Sequence, residues 1–212
     1  MNCKHLENGC GTKTKKYGGV PVCKRQAYRR LNLSYGELAY LVKEKCVEYA
    51  FSDAAKGTWF YQQSDLTGMC AIASAVLKRI YDIFDIRSKV VQGTFRIIDL
   101  EENDELCQTD DINLNYHCYN IVETSQDKSP RIVDITAEQF LGDWLDKGIL
   151  ETELDSNYYP EAHFLAWKSP ARFRYKDFSS WVDGQKPTPA VINQITRSVL
   201  HEIEHKYQLK YD

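Results

Sequence analysis

Residues 65–77 read DLTGMCAIASAVL, and the fold is decided by what begins there. Ile72, Ala73, Val76, Leu77, Ile80, Ile83 and Phe84 recur at helical spacing, the broad apolar stripe of a helix at the centre of a core. The segment ahead of it, through Gly68, reads as a loop, so the helix should start near Cys70. The stripe does not need a thiol at that point. A thiol there nevertheless has chemical consequences. The first turn presents unpaired N–H groups and the positive end of the helix dipole, and both favour thiolate over thiol. A thiolate can attack a carbonyl while the Cys70 N–H points at the oxyanion that forms. Gly68 would keep the approach open, and Ala71, Ala73 and Ser74 leave room. The competing reading is a buried structural cysteine.

A chain of 212 residues, 43% hydrophobic and 12% aromatic, can bury a substantial core. The net charge of -3 hides an asymmetry. Residues 1–30 hold eight Lys and Arg against one Glu, which leaves the remainder distinctly acidic. Such a basic arm is either a solvated tail or a surface for nucleic acid. No apolar run is long enough to span a membrane, and MNCKHLENGC lacks the apolar centre of a signal peptide. A cytoplasmic protein is expected. The seven cysteines are then free thiols, metal ligands or a nucleophile rather than a disulfide framework.

Three regions follow from the pattern: a basic, cysteine-containing appendage over 1–33, a core over 34–142, and an aromatic region over 143–212 that ends in a helix. Ser34 should cap a helix whose stripe is Leu38, Leu41, Val42, Cys46 and Tyr49. Residues 57–68 read as an aromatic, polar loop or short strand. Residues 89–98, 115–123 and 131–136 read as strands, and their spacing predicts an antiparallel meander. AEQFLGDWL, from 137, should be a short helix; 151–185 look irregular. The fold class expected is α+β, a central helix packed on an antiparallel sheet.

A nucleophile needs a base. His117 lies mid-strand in NYHCYNIVE, where alternation groups it with Tyr119 and Ile121 on an apolar, core-facing side. Asp134 interrupts the apolar strand RIVDIT, and a buried carboxylate asks for a cationic or hydrogen-bonding partner. If the two strands are neighbours, Asp134 can orient the His117 ring. Cys, His and Asp in this order form a sharper signal than any one of them.

The string GMCAIASAVL…VVQGTF…NYHCYNIV…RIVDITAEQF resembles the transglutaminase-like branch of the papain-like cysteine enzymes, over about 57–142. The resemblance implies Cys70 as nucleophile, His117 as base and Asp134 as orienting carboxylate. It also implies a glutamine ahead of the cysteine as oxyanion donor, for which Gln63, or else Gln62, is the candidate. One departure concerns the residue after the histidine, where the family often has tryptophan and this chain has Cys118 and Tyr119. The expected chemistry is acyl transfer on a protein or peptide, without a catalytic metal. Water as second nucleophile gives a protease, deamidase or amidase, and an amine gives a transglutaminase or N-acyltransferase.

Two other readings come from the termini, and a third from the fold. His201-Glu202-Ile203-Glu204-His205 matches H-E-x-x-H, with the histidines one helical turn apart and Glu202 as base of a zinc peptidase. Against it, Asp212 is the one acidic residue downstream for a third ligand, and Val199 and Ile203 mark the buried edge of an otherwise solvated helix. Cys3, His5, Cys10 and Cys23 form a looser set that could hold a structural zinc. A non-catalytic binding module on the same fold is the third possibility, but it would have no need of all three triad residues.

Overall fold

The computed structural model describes residues 22–99, 116–123, 130–141, 149–153, 161–166, 169–177 and 188–209. Its elements in chain order are α1 (Val22–Arg29), α2 (Tyr35–Ala50), a 3-10 turn (Asp53–Ala55), α3 (Cys70–Phe84), β1 (Ser88–Asp99), β2 (Tyr116–Val122) and β3 (Arg131–Asp134). There follow α4 (Glu138–Leu141), β4 (Leu150–Glu153), β5 (Glu161–Ala166), β6 (Ser169–Asp177) and α5 (Pro189–Lys206). The class is α+β. The strands form one six-stranded sheet in the order β4-β3-β2-β1-β6-β5. Every neighbouring pair is antiparallel.

Strands β1, β2 and β3 form the expected meander. The region 151–185, expected to be irregular, instead supplies β5, β6 and most of β4. The ladder of a sheet is built from backbone groups, so a segment can pair on a neighbour whatever its side-chain pattern suggests. Pairing of β6 along β1, from Gly93↔Asp177 to Asp99↔Ala171, carries the sheet past the boundary placed after residue 142.

Helix α3 is central because its stripe is apolar enough to be covered on nearly all sides. Val76, Leu77, Ile80 and Ile83 are fully buried, each worth about 1.5–3 kcal/mol of burial. Val122, Val133 and Ile135 from the sheet side belong to the same core. So do Leu38, Val42 and Cys46 of α2 and Ile195, Val199 and Ile203 of α5. Ser34 caps α2 as expected, accepting the Glu37 N–H at 3.2 Å while Glu37 accepts the Ser34 N–H at 2.8 Å. Such a reciprocal cap contributes about 1 kcal/mol.

Helix α1 falls in the basic appendage of the sequence reading, yet it docks on this core through the buried ring of Tyr28. Arg25 donates to the carbonyls of Asp82 and Ile83, and Arg29 pairs with Asp85 at 2.6 Å. These cations meet the C-terminal end of α3, where carbonyls lack helical partners and the dipole is negative. Cys3, His5 and Cys10 lie outside the described residues, as does the Cys23 side chain. Among the described residues, no helix is long and apolar enough to cross a membrane.

Candidate active site

Cys70 is the first residue of α3. Its N-cap, Met69, has φ -101° and ψ 0° and gives the helix no side-chain cap. The chain reaches it through residues in the left-handed region, Leu66 (φ 62°) and Gly68 (φ 80°). Gly68 was expected to keep the approach open. A Cβ there would meet the Trp59 ring no closer than 3.7 Å, an ordinary packing distance, so its backbone conformation is what calls for glycine. The turn delivers the thiol to the sheet, where Cys70 is 6% exposed.

Strand β2 receives it. Asn120 donates its amide to the Ser74 carbonyl at 3.0 Å, and Cys118 packs with Cys70 and Ala71. Cys118, Asn120 and Val122 therefore face α3. His117, Tyr119 and Ile121 do share a face, as expected, with the His117 and Tyr119 rings stacked at 6.5 Å, but alternation turns it to the other side of the sheet. That face is also buried.

Pairing of β2 with β3 covers Asn120–Val122 against Arg131–Val133, so the first residues of β2 extend beyond that ladder. The Cys70 thiol lies beside them, packed against Cys118 and electrostatically coupled to the His117 ring. On the far side of the ring, His117 Nε2 meets Asp134 Oδ2 at 2.5 Å, with both residues buried. The nitrogen left for the thiol is Nδ1. Asp134 Oδ1 accepts the Thr136 N–H and O–H, each at 3.0 Å. The buried carboxylate thus has the partners its sequence position demanded.

The charges follow from these contacts. The Cys70 thiol is lowered from 9.0 to about 5, chiefly because the Cys118 thiol hydrogen-bonds to it. Burial opposes this, while the hydrogen bond and charge of His117 and the Cys118 N–H assist. For His117, burial favours the neutral ring but is outweighed by the charge and hydrogen bond of Asp134 and by Cys70, which raise it from 6.5 to about 10. The two groups titrate as a pair, a thiolate beside an imidazolium across neutral pH. Burial alone does the reverse at Cys46, pushing its thiol up to about 12.

Gln63 lies in the turns ahead of α3. Its side chain is exposed, in a turn where its N–H donates to the Phe60 carbonyl, and Gln62 is exposed too. The described contacts place neither glutamine against the triad. The sequence reading also missed two neighbours. In the sequence Cys118 stands out only as a departure from a family pattern, and Gln92, buried in β1 directly across from Cys118, belongs to no motif. An amide amid the apolar residues of KVVQGTF was the available signal.

The H-E-x-x-H segment does lie on a helix, α5, with Val199 and Ile203 on its buried edge. His201 and His205 are exposed. Glu202 pairs with Lys45 at 3.2 Å, while Glu204 pairs with Lys24 at 3.3 Å and accepts the Tyr28 hydroxyl. Asp212 lies outside the described residues. Among the described residues, no three His, Cys, Asp or Glu side chains gather as a metal site. No family model, curated protein or solved structure matches the chain.

Proposed function

We propose that this chain is a cysteine-dependent acyl-transfer enzyme with a papain-like or transglutaminase-like core. One observation carries the reading: a buried His117–Asp134 pair set beside a thiol that begins the central helix. A binding module would gain nothing from burying three such groups together, because desolvating charge is costly unless the charge is used or matched.

The Cys70 thiolate attacks an amide or ester carbonyl, and the Cys70 N–H stabilises the oxyanion. His117, charged at that stage, protonates the leaving group from Nδ1. Asp134 keeps the ring oriented and stabilises its charge. The resulting thioester is opened by a second nucleophile whose proton His117 takes. Water makes the protein an amidohydrolase acting on a protein or peptide, the simplest outcome, and an amine makes it a transferase. The reading places it in the cytoplasm, where its thiols remain reduced. The metallopeptidase alternative is less favoured because Lys45 engages Glu202, the base that mechanism needs.

Trapping the acyl-enzyme tests the proposal. With an activated peptide ester, intact mass should show one acyl group on Cys70, removed by hydroxylamine and absent in Cys70→Ala. Acylation at another residue, or an unchanged adduct in Cys70→Ala, defeats it.

A further inference from the structure

The nucleophile has a second thiol beside it. Cys70, Ala71 and Cys118 make a small buried cluster separate from the main core, and neither cysteine is in a disulfide. Cys118 projects from β2 toward α3, and its side chain packs against Cys70. A disulfide needs a sulfur–sulfur separation of about 2.05 Å, and among the described residues Cys118 is the cysteine packed against Cys70.

We propose that Cys70 and Cys118 are a reversible dithiol: a peroxide oxidises Cys70, and Cys118 resolves it as an intramolecular disulfide that withdraws the nucleophile. This rests on reading Cys70 as the reactive thiolate. In the first step the Cys70 sulfur attacks the O–O bond of hydrogen peroxide. An S–O bond forms, the O–O bond breaks and hydroxide leaves, so sulfur is oxidised by two electrons and peroxide is reduced. In the second step the Cys118 sulfur attacks the sulfenic sulfur. An S–S bond forms, the S–O bond breaks, and the hydroxyl departs with the Cys118 proton as water. The sum converts two thiols and one peroxide into one disulfide and two waters, and a dithiol reductant reverses it by exchange.

Cys46 provides an internal control. It is fully buried, whereas Cys70 keeps 6% exposure, and nothing offsets burial there, so its thiol is pushed up to about 12. Peroxide should leave it reduced, since thiolate is the form that reacts.

The test uses the reduced full-length protein, hydrogen peroxide, and peptide mapping after the remaining thiols are blocked. The expected result is a Cys70–Cys118 cross-linked peptide, with Cys70 labelling lost and then restored by dithiothreitol. In Cys118→Ser the cross-link should vanish, and Cys70 should proceed to sulfinic acid, which dithiothreitol does not restore. If wild-type Cys70 also goes irreversibly to sulfinic acid, or its disulfide joins another cysteine, the proposal fails. Acyl transfer by the reduced sample separates the two ideas. A cross-link without acyl transfer removes the enzyme and keeps the dithiol, whereas acyl transfer without a cross-link does the opposite.

Discussion

Replacing Asp134 by Asn keeps the shape of the side chain and removes its charge. In the native site Oδ1 accepts two hydrogen bonds from Thr136 and Oδ2 accepts the His117 Nε2–H at 2.5 Å. Thr136 should hold the amide oxygen of Asn on its own side, turning the NH2 group toward His117. Nε2 must then accept instead of donate, so a neutral ring carries its proton on Nδ1. A ring in that tautomer cannot take a proton from the thiol. A hydrogen bond to a charged group contributes about 1.5–3 kcal/mol, or about ten- to a hundredfold in the imidazolium population. Loss of a positioned base costs a further share of the usual 10²–10⁴. Acyl transfer should therefore fall by about 10²–10⁴, and iodoacetamide labelling of Cys70 at neutral pH by about ten- to a hundredfold. Both are read by intact mass against time, with circular dichroism confirming the fold. A folded Asp134→Asn protein with native rates and native pH dependence would refute this account of the triad.

The pH profile has a definite sign. Because the Cys70 thiol lies below its usual range, thiolate is present above about 5 and is lost as pH falls through that value. Because His117 is raised, the leaving-group acid is present below about 10 and is lost as pH rises through it. Acyl transfer should be bell-shaped between those limits; a single rise near pH 8–9 contradicts the paired titration. Chelators should spare activity, and His201→Ala with His205→Ala should change it less than twofold, since both side chains are exposed. Should zinc sit at Cys3, His5, Cys10 and Cys23, serine at Cys3 and Cys10 separates its loss from catalysis without removing α1, whose Tyr28 is core. A doubly substituted α5 that is inactive but folded would revive the metallopeptidase.

The helices were largely legible because their signals are local. The α3 stripe and the Ser34–Glu37 cap each lie within a few turns of chain. Asp134 was legible for a different reason: a carboxylate inside an apolar strand must find a partner, and His117 is that partner. Strand β6 could have been read, since Arg172, Arg174 and Lys176 alternate with Phe173 and Tyr175, but the irregular surroundings hid it. The place of Cys118 was not legible. Whether the residue after the histidine meets the nucleophile depends on the β1–β2–β3 register and on where β3 stops, which are long-range facts. Where the Gln63 side chain points was not legible either, because spacing along a chain says nothing of which way a turn projects.

The most direct measurement of the central claim is the iodoacetamide rate of each of the seven cysteines at pH 7, followed by peptide mapping. With one thiol at about 5 and another at about 12, Cys70 should label at least about a hundredfold faster than Cys46. Cys70→Ala should abolish the fast phase and leave the fold intact. Uniform slow labelling of all the cysteines, or a Cys70→Ala chain that cannot fold, would mean that the thiol at the start of α3 is structural.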